Sequence, residues 1–242
     1  MDLIRRVVRR VRRMLMGQPA TSRTTAAAAS ASAARPTTQR TSRPAGILPK
    51  DDLHAFWRAP DAPNRPEEYV GHTGRSRFLV EFVRPYVGPE PTILEIGCNV
   101  GRNLAHLYEA GYRHLTGIEI NGDALRLLAD TYPEMAQAST LINAPVEDAI
   151  REIPDGSIDL VYTMAVLEHI HPDSEWIFDD IVRISRGAVV TVEDEHGTSI
   201  RHTPRDYRQI FESRGLHQVA HQSIDAEGGF GTAFEARVFT QA

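Results

Sequence analysis

The sequence predicts a doubly wound, Rossmann-like α/β fold: a mostly parallel seven-stranded sheet with helices on both faces and an antiparallel hairpin at one edge. Three observations support this prediction. Short apolar segments alternate with helical segments between residues 92 and 193, which is typical of a parallel sheet with right-handed crossovers. A glycine-containing turn follows the first strand. Two late strands are separated by the glycine-rich segment 225–231, which favours a hairpin.

The strands are predicted where short apolar segments are bounded by polar residues or glycine. They are Thr92–Ile96, His114–Glu119, Ser139–Asn143, Ile158–Met164, Ala188–Glu193, Leu216–Ser223 and Ala233–Thr240. Helices are predicted from near Arg75 and at Arg102–Ala110, Asp123–Tyr132, Val146–Ile153, Ser174–Ser185 and after Thr203. Asn121 and the stretch Thr203–Asp206 have the character of helix N-caps.

The chain of 242 residues divides into four parts. Residues 1–16 predict a basic amphipathic helix, because apolar residues recur at helical spacing among arginines. This helix suggests peripheral contact with the inner face of an anionic membrane. A solvated tail without function and a transit peptide remain alternatives. Residues 17–46 have almost no large apolar side chains and predict a disordered linker. Residues 47–74 predict a cap or substrate segment, and residues 75–242 predict the main domain.

The net charge of the chain is −5, and it is unevenly distributed. Residues 1–46 contain ten arginines and one acid, so residues 47–242 carry −14. A domain this acidic repels phosphate backbones, which disfavours nucleic acid as a substrate. Cys98 is the only cysteine, which excludes an intrachain disulfide. With no apolar run of roughly 18 residues, we expect a cytoplasmic protein, and the excess of arginine over lysine suggests a bacterial source.

The first predicted strand ends in a turn from Gly97 to Gly101, two residues after Glu95. Glycines in such a turn let the backbone approach a ligand closely. A nicotinamide-dinucleotide fingerprint starting at Gly97 would need glycine where the chain has Asn99 and Arg102. The turn resembles motif I of the class I S-adenosylmethionine-dependent methyltransferases, usually acid-x-Gly-x-Gly-x-Gly. Asn99 replaces the middle glycine, and asparagine tolerates left-handed backbone better than most residues.

Three later segments extend this resemblance, in particular to the type 11, or UbiE-like, group of the family. They are the acid Glu119 at the end of the second strand, the segment 143–148 and the segment 154–170. The resemblance implies S-adenosylmethionine as the cofactor, with Glu95 at its ammonium, Glu119 at its ribose and an acid of the segment 143–148 at its adenine. The implied cofactor-binding residues are Glu95, Gly97, Cys98, Asn99, Gly101, Glu119, Ile120, Val146, Glu147, Asp148, Thr163 and Met164.

A methyl acceptor with a hydroxyl group also needs a group that accepts its proton. His169 is the first catalytic candidate, because imidazole titrates near neutral pH and this position faces the pocket in the family that the chain resembles. His169 could instead cap a helix or fix a loop. Glu193 is the next candidate, with Glu195 and His196. We predict no metal site, because the adjacent residues 193–196 cannot all point one way.

The substrate contacts are expected to come from segments outside the sheet, which are residues 47–74 and the loops 194–206 and 225–231. Trp57, Tyr69 and His72 in the cap segment and Arg75 directly after it are candidates, with simple packing as the alternative role for each. Phe230, flanked by glycines, is a candidate lid residue.

The predicted function is transfer of a methyl group from S-adenosylmethionine to a small-molecule acceptor. The basic N-terminal helix suggests a sugar or glycan hydroxyl at a membrane surface. A non-catalytic cofactor-binding or assembly module is an alternative. A nicotinamide-dependent reductase is a second alternative, which Asn99 and Arg102 disfavour.

Overall fold

The computed structural model describes residues 46–61, 64–224 and 234–241. The predicted N-terminal helix and the predicted linker, apart from Gly46, lie outside the described residues, as do Phe230 and the connection between the last two strands.

The described strands form one seven-stranded sheet in the order β3-β2-β1-β4-β5-β7-β6. The strands are β1 (Thr92–Ile96), β2 (His114–Glu119), β3 (Thr140–Asn143), β4 (Ile158–Met164), β5 (Ser185–Asp194), β6 (His217–Ile224) and β7 (Phe234–Thr240). The first five strands pair in parallel, whereas β7 pairs antiparallel with both β5 and β6. The predicted fold class, including its antiparallel edge, is confirmed.

The helices cover both faces of the sheet. They are α1 (Lys50–Arg58), α2 (Thr73–Val83), α3 (Arg102–Glu109), α4 (Gly122–Thr131), α5 (Pro133–Ala138), α6 (Val146–Ala149), α7 (Ile177–Ile184) and α8 (Tyr207–Glu212). Apolar residues of α2, α3 and α4 pack on one face with Ile93 and Leu115. Those of α6, α7 and α8 pack on the other face with Leu94 and Ile118. Burial of these two apolar layers is the main stabilising contribution to the fold.

Several element boundaries differ from the prediction for identifiable reasons. Helix α7 begins at Ile177, because Pro172–Ser174 forms a separate 3₁₀ turn, in which Nδ1 of His171 accepts the N–H of Asp173. Helix α5, absent from the prediction, begins at Pro133, whose fixed φ suits a first helical turn. The cap of α8 is Asp206, whose Oδ1 accepts the N–H of Gln209 at 2.9 Å, and not Thr203. Asn121 caps α4 as predicted.

The two ends of the parallel strands differ in their chemistry. At the amino end, Asp159 accepts hydrogen bonds from the N–H and hydroxyl of Thr92, both at 2.8 Å, and from Arg186 at 2.6 and 2.7 Å. These bonds fasten β1, β4 and β5 together. At the carboxyl end the strands open into turns and loops, which is where ligands bind in folds of this kind.

The segment from 46 to 74 packs over that carboxyl end. Leu53 of α1 is buried, the N–H of Leu48 donates to the carbonyl of Ile200 at 2.8 Å, and Nη1 of Arg102 donates to the carbonyl of Tyr69 at 2.9 Å. The segment contains helix α1, which the sequence analysis did not predict. Within the described ranges, every helix is too short or too polar to cross a membrane.

Candidate active site

The turn between β1 and α3 passes through left-handed backbone at three positions. Gly97, Asn99 and Gly101 have φ angles of +73°, +47° and +68°, so Asn99 adopts the conformation expected of a glycine in its place. The carbonyl of Ile118 in β2 accepts hydrogen bonds from the N–H groups of Gly97 and Cys98, at 2.8 and 3.0 Å. The turn is thereby fastened to the carboxyl end of the neighbouring strand.

Glu95 is buried at the end of β1 and lines a cavity. Its Oε1 accepts a hydrogen bond from Nδ2 of Asn103 at 2.8 Å, whereas Oε2 has no partner among the described residues. Burial raises the pKa of Glu95 to about 8, against the hydrogen bond from Asn103, which lowers it. An ammonium group at Oε2 would satisfy this oxygen and stabilise the ionised carboxylate. The site therefore fits the amino-acid end of S-adenosylmethionine.

Glu119 lies across the cavity from the turn, at the end of β2. Its Oε1 accepts the N–H of Asn121 at 2.7 Å, and its Oε2 accepts the N–H of Asn99 at 2.9 Å. Burial raises the pKa of Glu119, and these backbone hydrogen bonds partly offset that effect. Each carboxylate oxygen has a further lone pair, so both can also accept a hydroxyl. Glu119 fits a pair of ribose hydroxyls while it holds the turn.

The segment after β3 contributes the next part of the cavity wall. Val146, Glu147 and Ile120 line the cavity, whereas Asp148 is exposed and lies outside its lining. Oε1 of Glu147 lies 3.1 Å from Nε2 of His54 in α1. Of the two acids that the sequence offered for the adenine, Glu147 is the one in position.

One cavity of about 340 Å³ contains these groups and continues beyond them. Its volume lies within the range of sites that bind small molecules. The second region of the cavity is lined by aromatic rings, an imidazole and guanidinium groups: Trp57, Tyr69, Arg75, His169 and Arg201.

Solved structures share this fold at low sequence identity. A methyltransferase described as putative, solved in complex with the Haloferax volcanii Trm112 methyltransferase activator, aligns with a TM-score of 0.61 and 16% identity, over 78% of this chain and 97% of that one. The 1,6-didemethyltoxoflavin-N1-methyltransferase of Burkholderia thailandensis, solved with 1,6-didemethyltoxoflavin and S-adenosylhomocysteine, aligns with a TM-score of 0.58 and 14% identity. That alignment covers 80% of this chain and 87% of the other. At these identities the likeness concerns the fold.

Sequence comparison finds similarity to methyltransferases over part of the chain. The 2-methyl-6-phytyl-1,4-hydroquinone methyltransferase of Synechocystis sp. is 26% identical over 151 residues, which are 61% of this chain and 46% of that protein. This chain thus spans about half the length of the curated relative. The family described as Methyltransferase domain matches residues 94–190. Residues 94–190 are thus similar to methyltransferase domains. The match runs from the motif strand β1 to the middle of β5.

His169 lies in the second region of the cavity. Its Nδ1 lies 2.8 Å from the carbonyl of Arg201. A carbonyl only accepts, so Nδ1 carries the hydrogen and Nε2 has the lone pair. Burial lowers the pKa of His169 to about 4, so the ring is neutral near pH 7. The ring of Trp57 packs against it with 4.6 Å between centroids.

Glu193 is fully buried at the end of β5 and lies outside the cavity lining of the described residues. Its Oε2 accepts the N–H groups of Val166 at 2.9 Å, Leu167 at 3.0 Å and Glu168 at 3.4 Å. These bonds hold the loop that follows β4 and carries His169. The geometry makes Glu193 a positioning residue, which is a correction to its sequence-based role as a base.

Other predicted residues divide between the cavity and its surroundings. Gly97, Cys98, Asn99 and Met164 line the cavity, whereas Gly101 and Thr163 are buried beside it. Glu195 is paired with Arg237 at 2.7 and 2.8 Å, and His196 and His72 are exposed outside the lining. Glu195, His196 and His72 therefore lie outside the region of the cavity in which a base or an acceptor contact is needed.

Sequence reasoning missed several side chains of the cavity, among them His54, Glu168 and Arg201. His54 was overlooked because the segment before the sheet had no predicted long helix. Glu168 stands directly before the predicted base in the sequence, and its acidity beside a histidine was an available signal. Arg201 belongs to the loop 194–206, which the sequence analysis expected to contact the substrate, but no motif marked this residue within it.

Proposed function

We propose that this protein transfers a methyl group from S-adenosylmethionine to a hydroxyl group of a small-molecule acceptor. The observation that carries the proposal is the continuity of one cavity, from the two carboxylates Glu95 and Glu119 to the imidazole of His169. A cofactor and an acceptor in this cavity would be enclosed together by the cap segment.

The donor half of the cavity, which is the region lined by Glu95 and Glu119, would recognise the cofactor. Glu95 would hold the cofactor's ammonium, Glu119 its ribose hydroxyls, and the side chains of Ile120 and Val146 would pack against its adenine. When bound, S-adenosylmethionine supplies a methyl carbon on a positively charged sulfur, and an acceptor oxygen forms the new O–C bond as the C–S electron pair leaves on that sulfur. The protein's contribution is then alignment and the exclusion of water.

The acceptor half is the second region of the cavity, which contains His169. His169 is the candidate group for accepting the proton that leaves the acceptor hydroxyl. The lone pair of His169 Nε2 can accept a proton from an acceptor hydroxyl, as the sequence suggested, or it can bind a metal ion. It cannot do both at once. A chelator separates these uses, because it leaves the first unchanged and removes the second.

The acceptor that fits this half is polar and has a flat face. Trp57 offers an aromatic surface, and Arg75 and Arg201 offer donors. A sugar or glycan hydroxyl suits this combination. The curated relative is a methyltransferase of a hydroquinone, according to its name. Sugars and hydroquinones are therefore the two acceptor panels to compare.

Calorimetry with S-adenosylmethionine tests the cofactor site of the full chain. We expect saturable binding that Glu119→Ala weakens by at least about 10-fold, since two hydroxyl hydrogen bonds are lost. Glu109→Ala, an exposed acid at the end of α3, serves as the matched control. No measurable binding to the unaltered protein would refute the assignment.

Turnover tests the enzyme itself. Methyl-labelled cofactor is incubated with the protein and each acceptor panel, and label transfer is followed by mass spectrometry. We expect S-adenosylhomocysteine only with an acceptor present. Cofactor binding without turnover, on either panel or on a cell extract, would instead support the non-catalytic module.

We further propose that residues 2–16 contact an anionic membrane surface, since arginines and apolar residues alternate there. A protein beginning at residue 47 should keep its cofactor affinity and lose binding to vesicles that contain anionic lipid. Equal vesicle binding by both forms would remove this part of the proposal.

A further inference from the structure

A group of three potential metal ligands lies at the acceptor end of the cavity. One ligand atom each of Glu168, His169 and His202 lies within 4.8 Å of the other two. Oε1 of Glu168 and Nε2 of His169 are 3.5 Å apart. Two atoms that bind the same ion at about 2.1 Å, at near-tetrahedral or octahedral angles, are separated by about this distance.

Backbone carbonyls fix the orientation of both imidazoles. The carbonyl of Arg201 accepts from Nδ1 of His169 at 2.8 Å, and the carbonyl of Asp194 accepts from Nε2 of His202 at 3.0 Å. Each ring must therefore donate at one nitrogen and present a lone pair at the other. A ligand histidine whose second nitrogen donates to a carbonyl is the usual arrangement in metal sites.

Glu168 is held in a comparable way. Its Oε2 accepts the N–H of Asp194 at 2.5 Å, and Oε1 faces His169. Glu168 and Glu193 are both buried, and the carboxylate of Glu193 accepts the backbone N–H of Glu168 at 3.4 Å. Two buried carboxylates at close range repel one another, and a cation beside them would offset that repulsion.

The three residues come from two separate loops. Glu168 and His169 follow β4, and His202 belongs to the loop between β5 and α8. The N–H of Thr203 donates to the carbonyl of Glu168 at 2.8 Å, which joins the two loops. Sequence reasoning had weighed a metal only for the adjacent residues 193–196, so it could not find a site assembled from positions 168 and 202.

We propose that Glu168, His169 and His202 bind a divalent first-row transition ion at the acceptor end of the cavity. Two imidazoles and one carboxylate favour zinc, manganese, iron(II) or cobalt over magnesium, which prefers oxygen ligands. Glu168 and His169 line the cavity, so the ion's remaining positions face the acceptor. There it would bind an acceptor oxygen and orient it. In this arrangement Nε2 of His169 binds the ion and does not take the proton.

Binding of the ion is independent of the proposed methyl transfer, whereas its use in orienting an acceptor rests on that function. Cobalt(II) is the probe, because its visible absorption reports imidazole and carboxylate coordination directly. Full-length protein is freed of metal with a chelator and titrated with cobalt(II). We expect a saturable spectrum at one ion per chain.

The variants His202→Ala and Glu168→Gln should each weaken cobalt(II) binding by on the order of 100-fold. His196→Ala is the matched control, because His196 is an exposed histidine of the same loop outside the cluster. Thermal unfolding of each variant confirms that it is folded. Glu168→Gln retains an oxygen that can accept the N–H of Asp194, so it is the safer of the two for folding.

Two results would overturn the site: no saturable spectrum with the unaltered protein, or affinities of both variants equal to that of the control. Calorimetry with S-adenosylmethionine on the same metal-free protein is read separately. Cofactor binding without cobalt binding would reject the ion site alone. Cobalt binding without cofactor binding would reject the proposed function and leave the ion site in place.

Discussion

Nε2 of His54 lies 3.1 Å from Oε1 of Glu147, and this contact joins the helix before the sheet to the helix after β3 across the mouth of the cavity. Leu53, the residue before His54 in α1, has a buried side chain. The contact between His54 and Glu147 therefore fastens the cap over the donor half of the cavity.

Loss of this contact should weaken cofactor retention more than it weakens the fold. His54→Ala is expected to raise the dissociation constant of S-adenosylmethionine about 10-fold, equivalent to about 1.4 kcal/mol, because a charge-assisted hydrogen bond of the cap is removed. Stopped-flow measurement should show that the higher dissociation constant results from faster dissociation of the cofactor. Asp52→Ala, an exposed position of the same helix, is the control. An unchanged dissociation rate in His54→Ala would contradict this role.

Glu95 makes cofactor binding depend on pH. Its pKa is raised to about 8 by burial, so the ligand-free carboxyl is mostly protonated at pH 7. An ammonium beside Oε2 favours the ionised form, and binding at pH 7 should therefore release about one proton. Affinity should rise with pH up to about 8.

Calorimetry in buffers of different ionisation enthalpy measures this proton. Glu95→Gln should abolish the release and weaken affinity, whereas Glu119→Gln should weaken affinity and keep the release, because ribose hydroxyls carry no charge. Proton release that persists in Glu95→Gln would show that another group is responsible.

Gly97 is required by both backbone conformation and space. Its φ is +73°, and a Cβ would lie 2.4 Å from Cγ2 of Val166. Gly97→Ala should cost roughly 2–4 kcal/mol of unfolding free energy and displace the loop of Val166. Gly111→Ala is a matched control, since its φ is +102° with nothing within 4 Å, so only backbone strain of about 1–2 kcal/mol applies. Equal losses in urea-induced unfolding would show that contact with Val166 is unimportant.

Asp159 should give the fold an acid-sensitive attachment at the other end of the strands. Hydrogen bonds from Arg186, followed in effect by those from Thr92, hold the pKa of Asp159 far below its ordinary value of 3.8. A depressed pKa contributes stability that is present above about pH 3.8 and is lost as the pH falls through the folded-state value.

Asp159→Asn should therefore lower the unfolding free energy by about 1–2 kcal/mol at pH 7, with a difference that shrinks below pH 4. Unfolding curves at several pH values measure it. Asp155→Asn, whose carboxylate is 80% exposed beside Arg183, should have a smaller effect. A difference that stays constant down to pH 2 would argue against an ionised Asp159 as its source.

The sequence predicted the central sheet well because its signals are local. Buried parallel strands such as Ile158–Met164 appear as short apolar segments, and the turn at Gly97 has few conformational solutions. The antiparallel pairing of the last two strands followed from the glycine-rich segment between them. Elements governed by proline and by competing caps were less predictable, as at Pro133 and Asp206.

The candidate site could be predicted only where its residues follow a strand. Glu95 and Glu119 stand at strand ends, so the topology itself brings them to one edge. Arg201 and His202 reach the cavity through a long loop, and their contacts depend on the tertiary path of the chain. Glu193 could be placed at the correct strand end, but its inward direction and its three backbone partners required the structure.

The hydrogen bonds of the turn after β1 affect which nucleosides the cavity can bind. The N–H groups of Gly97, Cys98 and Gly101 donate to carbonyls, and that of Asn99 donates to Glu119. A loop that binds phosphate needs such donors unoccupied, and here two carboxylates face the cavity instead. A nucleotide would bring its anionic phosphates against Glu95 and Glu119 with no donor from these four groups. We therefore expect the pocket to favour an adenosine bearing a positive charge over one bearing a negative charge.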